Sequence, residues 1–425
     1  MKMKSEAVAI ALGVSLWLTL PGRAQPQDKE LLNYAITGWA SSKRPGPHWG
    51  TAITKLQVQQ LFLDLASEPR DHTYLEKVLA GTGVSIADLE ALSLIRRDSN
   101  RYVLNFTFFT AADVQRIREV SEVQARALAQ AFLARRGEIE AVLQEYSAAR
   151  VNPRAVAFIL LGCFSLDWDG LQLSAERGYR VTDQEHPDGN YIPWAEEKSD
   201  FSLQAIYWGS WGSSPYGDVL LASFGDHFSP RYTMPDLLSG LPRRAVQGNL
   251  PEPLKPRITA VVQWSVERTT KQVGRIMLAL REGPKTVEEL ALATQMHREE
   301  AEPLVELLVE LDYVGVEAGR YRANVPVLAE KDAALVKSLR RIGWEIMDAW
   351  LAANYKSVKN QLADITPMRY GVPYQLAFTQ IWHYIFGFTN RELAAAGLFA
   401  DPYASTRKYK GFIPFVYHAT LRPYP

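Results

Sequence analysis

The sequence predicts an α+β protein, mainly α, built from two tandem copies of one unit that pack as an internal pseudo-dimer. Three observations predict it. Most apolar residues recur at helical spacing. Two short alternating stretches, each split by a turn, follow runs of helix. A third signal is an offset of 219 positions, held without a gap, that aligns Arg101-Tyr102 with Arg320-Tyr321, Asn105 with Asn324, Asp113 with Asp332, Leu128 with Met347, Ile139 with Val358, Leu143 with Leu362 and Gly178 with Gly397. Tyr191-Ile192-Pro193-Trp194 then meets Phe412-Ile413-Pro414-Phe415 at an offset of 221. A period this long marks a duplication of whole units.

Length and composition set the frame. A chain of 425 residues, 47% of them hydrophobic, can bury full cores, and its length suggests two or three domains. The 47 basic and 47 acidic residues cancel, so overall charge draws the chain to neither nucleic acid nor anionic membrane. The single cysteine, Cys163, excludes an intrachain disulfide framework and a thiolate metal cluster. At the N-terminus, Lys2 and Lys4 precede an apolar core, Ala7–Leu20, and Pro21-Gly22-Arg23-Ala24-Gln25 supplies small residues. That is the pattern of a secretory signal over residues 1–24, cut after Ala24. No later segment reads as membrane-spanning, so an exported protein is expected, with a cytoplasmic chain as the alternative.

In order, residues 25–241 form copy one. A lead-in with Trp39 and Trp49 is followed by helices at Gln57–Ala66, Tyr74–Ala80 and Ser85–Leu92. Leu94–Arg97, the turn Asp98-Ser99-Asn100 and Arg101–Phe106 make a hairpin. Residues 242–257 read as a linker and 258–425 as copy two. There an apolar helix, Val273–Leu280, stops at Gly283-Pro284, and Thr286 caps Thr286–Thr294 with Glu288 and Glu289 in the first turn. His297–Leu311 carries leucines at helical spacing. Tyr313–Val316, Ala318-Gly319 and Arg320–Val325 form the second hairpin.

Both stretches, about 56–110 and 270–328, resemble the winged-helix domain of ArsR- or MarR-type bacterial regulators. The resemblance implies that each third helix is a recognition helix, that each hairpin is a wing, and that long helices pair in a symmetric dimer. Two fused copies would supply that dimer within one chain. Each copy continues into a helical segment (111–180 and 329–425): a long helix (Ala111–Tyr146; Glu330–Leu362), an apolar helix (Ala155–Leu166; Leu376–Phe386), and a further helix closed by Gly178 or Gly397. Copy one alone runs on into an aromatic, glycine-rich tail, 181–241.

Three functions compete. Duplex DNA binding, the reading the resemblance implies, would use Arg96, Arg97, Arg101, Arg298, Arg320 and Arg322. Yet the third helix of copy two sets Glu299, Glu300, Glu302, Glu306 and Glu310 against Arg298, which repels the phosphates that supply most DNA affinity. A metal-assisted hydrolase centred on Asp226 and His227 would need Asp167, Asp169, Asp183, Glu185 or His186 to converge on them. No histidine pair has zinc-site spacing, and nothing points to a cofactor or a metal. Protein or small-ligand recognition would use the tail's rings, chiefly Trp194, Tyr207, Trp208, Trp211 and Tyr216. Aromatics among Gly and Ser suit adaptable binding surfaces. The same rings also suit an aromatic core under long loops. Non-enzymatic recognition by an exported protein is the leading expectation, and a cytoplasmic DNA-binding regulator is the runner-up.

Overall fold

The computed structural model describes residues 30–41, 43–146, 151–198, 206–212, 218–227, 229 and 266–421. The expected signal, the linker and Tyr216 lie outside them, as does Phe228, another ring of the glycine-rich tail. Within them the chain is α+β: helices dominate and the strands form four small sheets.

The chain begins with β1 (Leu32–Ala40), α1 (Trp49–Ile53) and α2 (Leu56–Ser67), then β2 (Arg70–Asp71) and α3 (His72–Leu79). Asp71 caps α3 by accepting from the Tyr74 N–H at 2.8 Å. The capping box Ser85/Asp88 starts α4 (Ile86–Ala91), which leads into the hairpin β3 (Ile95–Asp98) and β4 (Arg101–Leu104). β5 (Thr107–Phe109) runs into α5 (Ala111–Ala134) and α6 (Arg136–Leu143), where one helix was expected. The helix breaks at Arg135, whose φ is −104°, two residues before Gly137.

The next helix, α7 (Pro153–Glu176), joins two predicted helices into one. Its centre, Phe158–Asp169, winds as a π-helix, with the Ser165 hydroxyl donating to the Leu160 carbonyl at 3.1 Å. It is apolar and long enough to cross a membrane, but 89% of its most apolar window is buried inside the fold. β6 (Glu185–His186), β7 (Gly189–Glu197), β8 (Tyr207–Gly212) and β9 (Val219–Asp226) follow.

After them come α8 (Val266–Arg281), α9 (Val287–Thr294), α10 (Arg298–Glu310), β10 (Val314–Glu317), β11 (Arg320–Ala323) and β12 (Val327–Leu328). α11 (Ala333–Gln361), α12 (Thr366–Arg369), α13 (Tyr374–Ala395) and β13 (Phe412–His418) complete the order. α13 again unites two helices that the sequence pattern separates. The predicted cap holds: the Thr286 hydroxyl accepts from the Glu289 N–H, and the Glu289 carboxylate from the Thr286 N–H.

Positions 219 apart carry matching backbone geometry. Ser93 and Asp312 both adopt positive φ (57° and 63°), as do Ser99 and Ala318 (56° and 50°). The Asn105 N–H donates to the Leu94 carbonyl at 2.9 Å, and that of Asn324 to Tyr313 at 2.8 Å. Gly178 and Gly397 end their helices at φ +72° and +73°. Only glycine reaches that region cheaply.

The sheets match as well. β5 runs parallel to β7 with Phe108 opposite Ala195, and β12 parallel to β13 with Val327 opposite Val416. On the other side of each central strand an antiparallel neighbour pairs, β1 on β7 and β9 on β13. Gly38 and Gly225 sit where these neighbours come closest. A Cβ at Gly38 would strike the Asn190 carbonyl, and one at Gly225 the Gly411 carbonyl.

Helices then cross between the halves. α5 packs on α13, and α11 packs on the π-helical stretch of α7. Ties between the two include the Trp382 indole donating to the Leu166 carbonyl at 2.9 Å and Arg177 bound to Asp348 at 2.6 Å. One apolar core spans residues from Ala35 to Leu421, while α1–α4, β3 and β4 close a second, smaller core with Tyr191 and Ala195 of β7.

Candidate functional site

The rings expected to form a binding surface are mostly interior. Trp194, Tyr207 and Trp208 are 5%, 5% and 3% exposed. β7 carries Trp194, and β8 carries the other two along with the half-buried Trp211. Adjacent strand residues face opposite ways, and both faces of β8 are covered: Trp208 lies with residues of α13 and of the β1–β7 sheet, and Tyr207 lies against Phe158. Trp208 is the hub, in ring contact with Trp194, His227, His383 and Tyr384 at 6.3, 5.3, 5.6 and 5.2 Å. The Tyr207 hydroxyl donates to Asp401 at 2.9 Å.

Trp194, Trp208, His227 and His383 border a cavity of about 20 Å³, room for a single water. Its walls are unusually polar for a core: Asp167 from α7, Ser210 from β8, His227 after β9, and Gln380 and His383 from α13. Burial pushes the Asp167 carboxyl up to about 8, against the opposing pull of the Ser210 hydroxyl and of Arg180. It therefore holds its proton at neutral pH. Burial pushes His383 the other way, down to about 4, so its imidazole is neutral. Its Nδ1 lies 2.7 Å from the Thr379 carbonyl, which requires that nitrogen to carry the hydrogen. The Gln380 Nε2 is buried with no hydrogen-bond partner.

On the far side of Trp208 a second carboxyl, Glu196, is buried and pushed up to about 7. The Tyr384 hydroxyl donates to it at 2.7 Å and the Asn33 amide at 3.3 Å. The cavity beside Asp167 and His383 has space for one water. It has no room for a substrate.

The chain matches no protein-family model, no curated protein and no solved structure. Its function must be read from its own geometry.

The hydrolytic constellation does not assemble. Asp226 and His227 are chain neighbours with separate surroundings. The Asp226 carboxylate accepts from Ser229 Oγ at 2.8 Å and from the Tyr403 hydroxyl, while His227 lies against Trp208 and Trp211. Only Asp167 shares a cavity with His227. Asp169 pairs with Arg340, His186 stacks on Tyr191 at 4.2 Å, and Asp183 and Glu185 are exposed. Among the described residues no three His, Cys, Asp or Glu side chains are grouped to hold a metal.

The arginines expected at a nucleic-acid surface are mostly engaged within the chain. Arg298 binds Glu288 at 2.8 Å, Arg320 binds Glu289 at 2.7 Å, and Arg322 lies 3.9 Å from Glu317. Arg96 donates to the Tyr370 carbonyl at 2.9 Å and Arg97 to the Ser99 carbonyl at 3.0 Å. Arg101 is exposed at the tip of β4.

Sequence reasoning singled out Asp167 and His227 but missed His383, Gln380 and Glu196. A polar residue inside an otherwise apolar run was the available signal, as in Trp382-His383-Tyr384 and Trp194-Ala195-Glu196.

Proposed function

We propose that this chain is a pair of tandem winged-helix units, folded as an internal pseudo-dimer and exported, that recognises a protein or a small ligand and does not read DNA. The observation that carries it is the state of the wing and recognition-helix arginines. Four of the six are already bonded to carboxylates or carbonyls of their own unit or of the opposite half, and Arg322 lies 3.9 Å from Glu317. A phosphate would have to displace those partners and then face Glu299, Glu300, Glu302, Glu306 and Glu310 on α10. The matched positive-φ residues, the matched caps and the two sheets of equal pairing support the duplication. Their pairing favours a second unit that begins at β8, ahead of the expected residue 258, because β9, which pairs with β8, stands to β13 as β1 stands to β7. The sequence over residues 1–24 supports export.

The test is an anisotropy titration with random-sequence duplex DNA at about 50 and 200 mM salt. Non-specific DNA binders reach roughly 10⁻⁴–10⁻⁶ M at physiological salt. We expect no saturable binding in that range. Salt-dependent binding weakened by Arg101→Ala, together with an uncleaved N-terminus, would restore the regulator reading.

A further inference from the structure

The outer face of α11 carries a cleft that no sequence motif marks. It measures about 400 Å³, within the size range of small-molecule sites. Val336, Lys337, Arg340, Arg341 and Trp344 line it with Leu421. Residues three and four apart share a helix face, which puts Val336 or Lys337, Arg340 and Trp344 on successive turns.

The three cations are not equivalent. Asp169, whose side chain is 1% exposed, reaches across from α7 and binds Arg340 through both carboxylate oxygens, at 2.8 and 2.5 Å. That pair is neutral overall, and it fixes the plane of the guanidinium. Arg341 is turned toward Glu345 at 2.7 Å and Glu138 at 3.4 Å. Lys337 is exposed and has no ion-pair or hydrogen-bond partner among the described residues. The cleft thus offers one uncompensated positive charge beside an indole and aliphatic wall.

The equivalent face of α5 differs at every one of these positions. Arg118 stands for Lys337 and lies over the Phe388 ring, 5.9 Å from its centroid. Ser121, fully buried, stands for Arg340, Glu122 for Arg341 and Ala125 for Trp344. Phe388 itself occupies the position of Asp169. A feature that the fold required would recur on both faces. The cation and indole set belongs to one face alone.

We infer that the α11 cleft binds a small organic monoanion, its carboxylate against Lys337 and its aromatic or aliphatic body along Trp344. A polyanion fits poorly, since the cleft has a single charge to offer. The inference rests on the recognition reading above and names the ligand class for it.

The probe is naphthalene-2-carboxylate, titrated calorimetrically into the full chain beside the neutral 2-naphthylmethanol. The carboxylate is expected to bind one per chain, more tightly than the alcohol and more weakly as salt rises. Lys337→Gln, at an exposed position that leaves folding intact, should weaken the carboxylate about tenfold and leave the alcohol unchanged. Trp344→Leu should weaken both. Equal affinity for acid and alcohol, indifference to Lys337→Gln, or no saturation by either compound overturns the cleft. Binding of duplex DNA sinks the recognition reading whatever the cleft does; a chain that ignores both DNA and the naphthyl probes loses the cleft alone.

Discussion

Asp167 is a carboxyl whose burial moves it far from its ordinary behaviour. In the unfolded chain its carboxyl loses its proton near 3.8, whereas burial in the fold delays that loss to about 8. Between those values the unfolded state binds fewer protons, so stability falls as pH rises through the window. Glu196, raised from 4.5 to about 7, acts in the same direction over a narrower range. His383 acts oppositely: lowered from 6.5 to about 4, it withdraws stability as pH falls through that interval. Of these three groups the two acids are the ones that act above pH 6.5, and through them the melting temperature should decline toward pH 8. Asp167→Asn keeps the shape and removes the titration. It should ease the slope there by about 1.4 kcal/mol per pH unit, the value for one proton. Parallel curves for wild type and variant, measured by urea unfolding across that range, would show that Asp167 is already ionised in the fold.

At the scale of elements, helix ends make the sharpest claims. Gly178 and Gly397 adopt the left-handed conformation with no atom closer than ordinary contact to the place a Cβ would occupy. Alanine at either position therefore meets no clash and pays only for its backbone, about 1–2 kcal/mol. Mid-helix, the same replacement would stabilise by about 1 kcal/mol. Urea midpoints distinguish the two signs, and a stabilised Gly397→Ala would refute the cap. Both caps were legible in the sequence, as were the Thr286 box and the two hairpins, because each is written within a few neighbouring residues. β1 was not, and β8–β9 read as an aromatic tail, because their pairing partners lie far off in the chain: Ala35 opposite Trp194, Phe224 opposite Ile413. Periodicity could not show the break at Arg135, nor the run of α7 through Trp168, where the helix is apolar on nearly every side. The buried site was half legible for the same reason. Asp167 and His227 stand out as polar residues beside Trp168 and Phe224, but nothing local says that α13 brings His383 and Gln380 to meet them.

At the scale of the whole molecule, the long helices cross between the two halves of the chain. In a symmetric dimer each contact appears twice, once from each partner. Here α5 meets α13 and α11 meets α7, so each half lends its long helix to the apolar helix of the other. Neither pair exists within one half. A chain cut between β7 and β8 severs no described helix or strand and leaves β8–β9 with β13. The pieces 25–204 and 205–425, produced together, should therefore copurify in equal amounts with the far-ultraviolet spectrum of the intact chain. Produced alone, each would expose the apolar faces of its long helices, and it should aggregate or pair with a second copy of itself. The first piece keeps the small core of α1–α4 with β7, so residual helix is expected there even in isolation. Two soluble monomers with native spectra would mean that the halves are independent domains and that the pseudo-dimer is incidental. Copurification lost on cutting between β9 and α8, but kept on cutting before β8, would locate the second unit's beginning at β8.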